Sequence, residues 1–230
     1  MGKQYQAFLN LISEKKKALA ILIDPEEFDV SQTASFLKRI PNKTTHIFVG
    51  GSTVDKGLTK ATVTAVKKHS DLPIFLFPGD YNQVCAEGDA VLFLSLLSGR
   101  NAEYLIGQQV KAIPNLVKTS LEIISTGYLL IDGGNESAVA RVSKTLPMSQ
   151  ENVQAVVDTA LAGQYLGAKL IYLEAGSGAT IPVKTEIISS VKQILDIPLI
   201  IGGGIRTELQ IKEAYNAGAD LIVMGTAFEK

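Results

Sequence analysis

Short apolar runs alternate with amphipathic segments along the whole chain, and this alternation limits the possible folds most strongly. Each run is continuously hydrophobic and ends at a Gly, Asp, Glu or Pro turn signal. The eight runs cover residues 18–24, 46–50, 74–77, 90–94, 123–128, 170–174, 199–201 and 221–224. Runs without polar alternation are typical of parallel strands that are covered on both faces. The pattern therefore disfavours an antiparallel sandwich.

Helix-like patterns occupy the segments between these runs. They cover residues 30–39, 58–69, 102–112, 152–166, 183–195 and 207–217. A strand-then-helix order repeated in this way predicts an α/β protein, a (β/α)₈ TIM barrel, as a single domain over residues 1–230. Because the sequence stops directly after the eighth run, we expect a modified barrel whose closing helix is missing. A doubly wound open sheet is the alternative.

The composition excludes several classes of protein. Hydrophobic residues make up 46% and charged residues 20%, which is sufficient for a sizeable core and excludes disorder. The 22 basic and 23 acidic residues nearly cancel, so no overall field attracts nucleic acid. The only cysteine is Cys85, and the N-terminus lacks the apolar core of a secretory signal. A single cysteine fits a reducing compartment, so we expect a cytoplasmic protein. No apolar run approaches the roughly 20 residues of a membrane span.

Polar and glycine residues follow several of the predicted strands. In a barrel of this kind the active site lies at the carboxyl ends of the strands, so these residues are the candidates for function. They are Asp24 after the first strand, Ser52 and Thr53 after the second, Glu174 at the end of the sixth, Gly202, Gly203 and Gly204 after the seventh, and Gly225 and Thr226 after the eighth.

The glycine turns after the last two strands predict a phosphate site. Phosphate needs several backbone N–H donors at close range, and glycine lets the chain approach because it has no Cβ. Thr207 follows as a candidate cap for the next helix, whose N-terminus adds a favourable dipole. The alternative is a plain tight turn. A Walker loop and a dinucleotide fingerprint are excluded, because no Gly-Lys-Ser/Thr follows and the glycines do not follow the first strand.

Two carboxylates are candidates for chemistry. Asp24 is either a helix cap or a metal ligand, and Ser52 or Thr53 offers a second hard oxygen of the kind that Mg²⁺ accepts. Glu174 emerges from an apolar strand, where a carboxylate is costly unless it is paired or transfers protons. The alternative for Glu174 is a satisfied structural carboxylate.

Other conspicuous residues favour structural interpretations. His46 opens the second strand and His69 ends the second predicted helix, so both belong away from the barrel mouth. Cys85 is interpreted as a small packing residue, and the lysines at 15–17 as a solvated helix end. The polar stretch 132–136 is either a plain turn or a lid.

A set of motifs along nearly the whole chain resembles one enzyme family. The motifs are LIDPEE, FVGGSTV, LFPGD, SLLSGRNAEYLIGQ, STGYLLIDGG, YLEAGSGA, GGGIRT and MGTAFE. Together they resemble the geranylgeranylglyceryl phosphate synthase family, which includes the bacterial heptaprenylglyceryl phosphate synthases. The segment SLLSGRNAEYLIG is most similar to the second, partly bacterial group of that family.

The resemblance implies a Mg²⁺-dependent prenyltransferase on a modified barrel. It would join sn-glycerol-1-phosphate to a polyprenyl diphosphate, with geranylgeranyl diphosphate as the family-level expectation, and release diphosphate. Asp24 and Ser52 would be the metal ligands and Glu174 the base. The family's glycerol-phosphate site corresponds to Tyr172, Leu173, Glu174, Ala175, Gly176, Ser177, Gly178, Gly203, Gly204, Gly225 and Thr226. The family also forms homo-oligomers, so a dimer or hexamer is expected.

The chain departs from the family pattern at one position, and its apolar residues offer candidates for a prenyl groove. Some relatives carry a phosphate-contacting lysine two residues before the metal-binding aspartate, whereas this chain has Leu22. Candidates for the apolar groove lie around the fourth strand and the next helix, although core packing explains them equally well. They are Leu94, Leu96, Leu97, Tyr104 and Ile106.

Three other kinds of protein are alternatives for a barrel with these glycine turns. A sugar-phosphate aldolase needs a lysine at a strand's carboxyl end, but Lys118 and Lys169 precede their strands. A sugar-phosphate isomerase would pair Asp24 with a second carboxylate such as Asp132. A non-catalytic barrel that binds a phosphate ligand or lipid is the remaining alternative.

Overall fold

A closed barrel of eight parallel strands forms the centre of the protein. The structure is a computed structural model and describes residues 2–225. The strands are β1 (Ala18–Ile23), β2 (His46–Val49), β3 (Ile74–Leu76), β4 (Ala90–Leu96), β5 (Glu122–Leu130), β6 (Leu170–Glu174), β7 (Leu199–Gly202) and β8 (Leu221–Met224). Each strand pairs with the next, and β8 returns to β1, where Ala18 lies opposite Leu221. The predicted barrel is therefore confirmed, and the open sheet is wrong.

Eight α-helices of the described chain surround the barrel or close its end. They are α1 (Lys3–Ser13), α2 (Thr33–Arg39), α3 (Leu58–Lys67), α4 (Gln108–Leu116), α5 (Ala138–Ser143), α6 (Val153–Tyr165), α7 (Thr185–Ile194) and α8 (Glu208–Ala217). Single turns of other helix types cover Val30–Gln32, Tyr81–Gln83 and Glu103–Gly107. All six predicted helices are present, whereas α1 and α5 were not predicted. The expected absence of a closing helix concerns residues beyond 225, outside the described residues.

Strand alternation divides the core into two layers. Residues two apart on β6, such as Tyr172 and Glu174, face the barrel interior, while Leu173 packs among the surrounding helices. On β1 the same alternation continues past the strand end and directs Asp24 inward, after Ala20 and Leu22. The period of two thus explains how apolar strands deliver single carboxylates to the interior of the barrel.

Helix α1 closes the amino-terminal end of the barrel. Tyr5 and Phe8 insert their rings into the interior layer, and the Glu122 carboxylate accepts hydrogen bonds from the amides of Gln4 and Tyr5 at 2.6 and 3.0 Å. His46 lies edge-on to Phe8, at this end of the barrel, and burial lowers its pKa to about 4. The prediction that His46 is structural is therefore supported by its position. Across residues 2–225, no helix combines the length and apolar character of a membrane span.

Candidate active site

The carboxyl ends of the strands surround a cavity of about 290 Å³. Asp24, Ser52, Glu174, Gly203 and Gly225 all line it, although they come from five different strand ends. The topology thus brings together residues that are up to 201 positions apart in the sequence, from Asp24 to Gly225. The centre that was predicted from the strand ends exists as one connected space.

Loops after β6 and β7 form a backbone cradle on one side of this cavity. Four of its glycines have positive φ angles, namely 101° at Gly176, 73° at Gly178, 78° at Gly203 and 72° at Gly204. A methyl group on Gly203 would lie only 2.6 Å from the Gly176 nitrogen, so the two loops are nearly in contact. Successive amides in such conformations form concave sites for anions. We call these four glycines the glycine cradle.

The helix after the glycine cradle begins as the sequence predicted. The Thr207 side chain accepts a hydrogen bond from the Gln210 amide, and the Gln210 side chain in return accepts from the Thr207 amide. This capping box fixes the first turn of α8 directly beyond the cradle. The positive end of the helix dipole is therefore held near the proposed anion site.

Glu174 is the buried carboxylate of the cavity. Only 7% of the residue is exposed, and its Oε1 accepts a 2.7 Å hydrogen bond from the Gly176 amide. Burial raises the pKa of this carboxyl above its usual value, against the opposing effects of the nearby Tyr172 hydroxyl and the Gly176 amide. A carboxylate with a raised pKa accepts a proton more readily, which is the property required of a general base.

Asp24 is a half-buried carboxylate that lines the same cavity at the end of β1. It accepts one hydrogen bond, from the Glu26 amide at 3.0 Å, and makes no ion pair with any residue from 2 to 225. Burial raises its pKa, and the charges of Glu27 and Glu26 add to this effect despite the Glu26 amide. The ionised form of Asp24 is therefore costly here, and a cation beside it would offset that cost.

The loop after β2 packs directly against this carboxylate. A methyl group on Gly51 would lie 2.5 Å from the Asp24 Oδ2 atom, and the neighbouring Ser52 and Thr53 line the same cavity. Within residues 2–225 there is no cluster of three or more His, Cys, Asp or Glu side chains suited to a metal. One carboxylate with nearby hydroxyls fits Mg²⁺, which takes one or two protein carboxylates and completes its shell with water and phosphate.

An apolar arm extends the cavity along β4 toward α4. Leu94 and Leu96 line it together with Tyr104, as predicted, and Val139 from α5 contributes to its opposite wall. Leu97 does not line the cavity, because its side chain turns outward and packs into the helical layer, which is the core-packing alternative. Ile106 is a wrong prediction, because it lies 58% exposed on the outer surface.

Several residues of the predicted glycerol-phosphate site contribute no cavity surface. Tyr172 lies beneath Glu174 in the barrel interior, while Leu173 and Ala175 point into the outer layer. Gly176, Ser177 and Gly178 line the cavity together with the glycines of β7 and β8. Thr226 lies outside the described residues. Glycerol-phosphate binding by this set stays a prediction.

The residues required by the rival enzymes lie elsewhere. The Asp132 carboxylate accepts a hydrogen bond from the Gly134 amide at 2.9 Å, and Asp132 does not line the cavity. Lys169 lies over the Tyr5 ring at the closed end of the barrel. The positions of Asp132 and Lys169 therefore disfavour both the isomerase pair and a Schiff-base lysine.

Cys85 is not a candidate nucleophile. Burial raises the pKa of its thiol to about 11, so this cysteine is protonated at neutral pH.

Polar residues outside the predicted set also lie at or next to the cavity. Asp80 and Arg206 line the cavity mouth, and Gln83 lies buried behind it, joining two loops. Arg206 follows the glycine turn directly and Asp80 follows a strand end, so the strand-end rule alone indicated both. Gln83 had no comparable sequence signal, because its role depends on a contact with residues 32 positions away.

Comparison with known proteins decides the family. Residues 10–230 match the model of the PcrB family. The chain belongs to the PcrB family. Its membership, and the names of the relatives below, confirm the predicted resemblance and the expectation that the chain is an enzyme of this type.

Several relatives match this chain over more than nine tenths of their own length. A protein of Zunongwangia profunda named geranylgeranylglyceryl phosphate synthase is 54% identical and aligns with 100% of this chain and 98% of its own. A protein of the same name from Flavobacterium johnsoniae is 53% identical over 98% of this chain and 93% of its own. The crystal structure of (S)-3-O-geranylgeranylglyceryl phosphate synthase from Thermoplasma acidophilum in complex with sn-glycerol-1-phosphate has a TM-score of 0.91 at 35% identity, covering 100% of this chain and 93% of its own.

Proposed function

We propose that this protein is a Mg²⁺-dependent prenyltransferase that forms geranylgeranylglyceryl phosphate. It would join the 3-hydroxyl of sn-glycerol-1-phosphate to C1 of geranylgeranyl diphosphate. The observation that carries the proposal is a single cavity that combines the glycine cradle, a buried base, an unpaired acidic side chain and an apolar arm. The Thermoplasma acidophilum relative was crystallised with sn-glycerol-1-phosphate, which supports this choice of acceptor.

The glycine cradle and Glu174 hold opposite ends of the acceptor. Backbone amides of the cradle bind the phosphate, and the short glycerol backbone places a hydroxyl within reach of the carboxylate. Glu174 lies directly beside the cradle, because its Oε1 atom and the Gly176 nitrogen are both within 2.6 Å of the same point beside Gly203. An acceptor as short as glycerol phosphate therefore suffices to reach from the remaining cradle amides to the carboxylate. The bound acceptor is thereby oriented before the donor reacts.

Ether formation requires one proton transfer and one displacement. The glycerol oxygen forms a bond to C1 of the prenyl group while the bond from C1 to the diphosphate oxygen breaks. The hydroxyl proton passes to Glu174, and the bonding electrons leave with the diphosphate. Positive charge develops on the allylic carbon, so the apolar walls that exclude water also limit hydrolysis of the donor.

Asp24 and Ser52 are the proposed Mg²⁺ ligands. When bound, the ion neutralises the diphosphate and makes it a better leaving group. Asp24 supports this role because burial and two nearby acidic residues disfavour its bare charge. Gly51 supports it because the absence of a side chain lets the β2 loop lie against the carboxylate.

Gln83 is a positioning residue for the loop that carries Ser52. Its side chain donates a 2.9 Å hydrogen bond to the Gly51 carbonyl and accepts one of 3.1 Å from the Gly79 amide. We expect Gln83→Ala to raise the Mg²⁺ concentration for half-maximal activity by about 10-fold or more, since residues that orient ligands typically contribute 10- to 100-fold to metal affinity. Titration of activity with Mg²⁺ measures this shift.

A matched substitution separates loop positioning from general destabilisation. Gln154 lies on α6, and among residues 2–225 its side chain bonds only to that of Asp158 on the surface, so Gln154→Ala should leave the Mg²⁺ titration unchanged. An unchanged titration in folded Gln83→Ala would contradict the positioning role.

A product assay tests the proposed reaction. The protein is incubated with sn-glycerol-1-phosphate, Mg²⁺ and prenyl diphosphates of increasing length, and the products are identified by mass. We expect the ether of the geranylgeranyl donor, release of one diphosphate per product, and loss of activity with a metal chelator. Absence of any ether product with every donor would overturn the function, and activity in the chelator would overturn only the Mg²⁺ assignment.

A further inference from the structure

Arg206 is the only Lys, Arg or His among the described residues that line the cavity. The same surface carries three acidic side chains, those of Asp24, Asp80 and Glu174. Both substrates of the proposed reaction are anions. Backbone amides supply partial charges, so the described cavity surface offers one full positive charge of its own to an entering phosphate.

The surroundings of Arg206 leave its guanidinium available. Its side chain has one hydrogen bond within the described chain, a 3.5 Å contact with the Gly204 carbonyl, and no described acidic partner. Its backbone amide is fixed more firmly, by a 2.8 Å bond to the Gln210 side chain at the start of α8. The backbone is therefore anchored while the charged end is exposed and free to meet a ligand.

The position of Arg206 distinguishes between the two phosphate-bearing substrates. Arg206 is on the β7 loop, two residues after Gly204, and its guanidinium rests against a carbonyl of the glycine cradle itself. Asp24 and Ser52, proposed for the diphosphate, follow β1 and β2 instead. The geometry points to the phosphate of the glycerol substrate as the partner of Arg206.

We propose that Arg206 neutralises this phosphate and makes the site specific for phosphorylated glycerol. The identity of the substrate rests on the function proposed above, whereas phosphate binding itself does not. A guanidinium offers two parallel N–H donors to phosphate oxygens, and lysine reproduces the charge without that geometry. Arg206 would thus supply the positive charge that faces the phosphate, and the glycine cradle would supply the concave arrangement of backbone amides around it.

Kinetics and direct binding test this assignment together. We expect Arg206→Gln to raise the KM for sn-glycerol-1-phosphate by about 10- to 100-fold, from the usual contribution of a charge-assisted hydrogen bond, with the KM for the prenyl diphosphate little changed. Arg206→Lys should fall between Arg206→Gln and the wild type. Calorimetric titration with inorganic phosphate should show the same order, and wild-type binding should weaken as salt is added.

Arg141→Gln is the matched control. Arg141 is an exposed arginine that lies 3.9 Å from Glu136 and does not line the cavity, so its replacement removes the same charge without touching the site. A thermal melt of each variant shows that it is folded. A raised KM for the prenyl diphosphate alone would overturn the assignment and transfer Arg206 to the donor, and unchanged KM values and phosphate affinity would overturn any binding role.

The two proposals fail differently. If the wild type forms no ether product but binds phosphate in an Arg206-dependent way, the proposed function is wrong and the phosphate assignment stands. If the wild type forms the product and folded Arg206→Gln has the same two KM values and the same affinity for inorganic phosphate, the function stands and the assignment of Arg206 is wrong. If the wild type neither forms product nor binds phosphate, both are wrong.

Discussion

Replacement of Glu174 by glutamine should lower turnover by about 10²- to 10⁴-fold, the usual contribution of a general base. The amide keeps an oxygen that can accept the hydrogen bond from the Gly176 amide, so the loop geometry is retained while the proton acceptor is lost. Turnover at saturating concentrations of both substrates measures the effect. Unchanged turnover would show that another group, or solvent, takes the hydroxyl proton.

The same substitution should make the protein more stable at neutral pH. Burial raises the folded-state pKa of Glu174 above the ordinary 4.5, so folding favours the protonated carboxyl. This contribution to stability is fully present below pH 4.5 and is lost as the pH rises through the raised pKa. A glutamine is neutral throughout and avoids the loss, so Glu174→Gln should melt at a higher temperature than the wild type at neutral pH and lose this advantage in acid.

Glu151→Gln is the matched control for both measurements. Glu151 is exposed on the surface, where it pairs with Lys184, and surface pairs of this kind contribute little to stability. Its replacement should change neither turnover nor the pH dependence of melting. A lower melting temperature of Glu174→Gln at neutral pH would show that the buried carboxylate is compensated by contacts that the glutamine cannot make.

The pH dependence of the wild-type reaction should report the same carboxyl group. Because the deprotonated form of Glu174 is the active one, turnover should rise with pH through a pKa above 4.5. Asp24 also has a raised pKa, so the profile is measured at saturating Mg²⁺, which keeps that carboxyl ionised. The residual turnover of Glu174→Gln should not show this rise with pH, because the variant has no carboxyl group at this position.

The strands and the order of the barrel were predictable because each strand is buried on both faces. Continuous apolar runs of this kind have few alternative structures, and β6 and β8 have the predicted bounds. β4 and β5 extend two residues past the predicted ends, to Leu96 and Leu130. β4 continues past the polar Ser95 because it stays paired with β5, whereas the apolar Leu129 and Leu130 were a sequence signal that the predicted bounds of β5 left out. Local pattern therefore identifies a strand better than it places the strand's end.

The two unpredicted helices illustrate different limits. Helix α1 carries the periodic apolar residues Tyr5 and Phe8, so a signal was present, but a helix before the first strand is not part of the strand-then-helix repeat. Helix α5 has only six residues, too few for a clear period, and it forms beside the cavity with a Ser137 cap. Tertiary packing rather than local preference accounts for α5.

The candidate site was predictable where chemistry coincides with a strand end. Asp24 and Glu174 met this condition, and alternation then determined that both face inward. A continuous stretch of sequence predicted the cavity lining less well. Leu173 and Ala175 belong to the predicted glycerol-phosphate segment 172–178, but their side chains point away from the cavity. Contacts such as that of Gln83 with Gly51 join separate loops and appear only once the barrel has closed.

Alanine at Gly203 should strongly impair the reaction of the glycerol substrate. The new methyl group would lie 2.5 Å from Glu174 Oε1 and 2.6 Å from the Gly176 nitrogen, so it would displace the base and the cradle together. The φ angle of 78° adds strain of about 1–2 kcal/mol for any residue with a Cβ. Since a displacement of about 1 Å can cost 100-fold in rate, we expect kcat/KM for sn-glycerol-1-phosphate to fall at least about 100-fold.

Gly167→Ala separates the two causes of this loss. Gly167 has a φ angle of 98°, but a methyl group there meets nothing within 4 Å, so the substitution adds backbone strain without filling the cavity. It should lower the melting temperature while kcat/KM stays near that of the wild type. If Gly203→Ala lost no more activity than Gly167→Ala, the phosphate would not lie against the β7 loop, and Glu174 would not depend on that loop for its position.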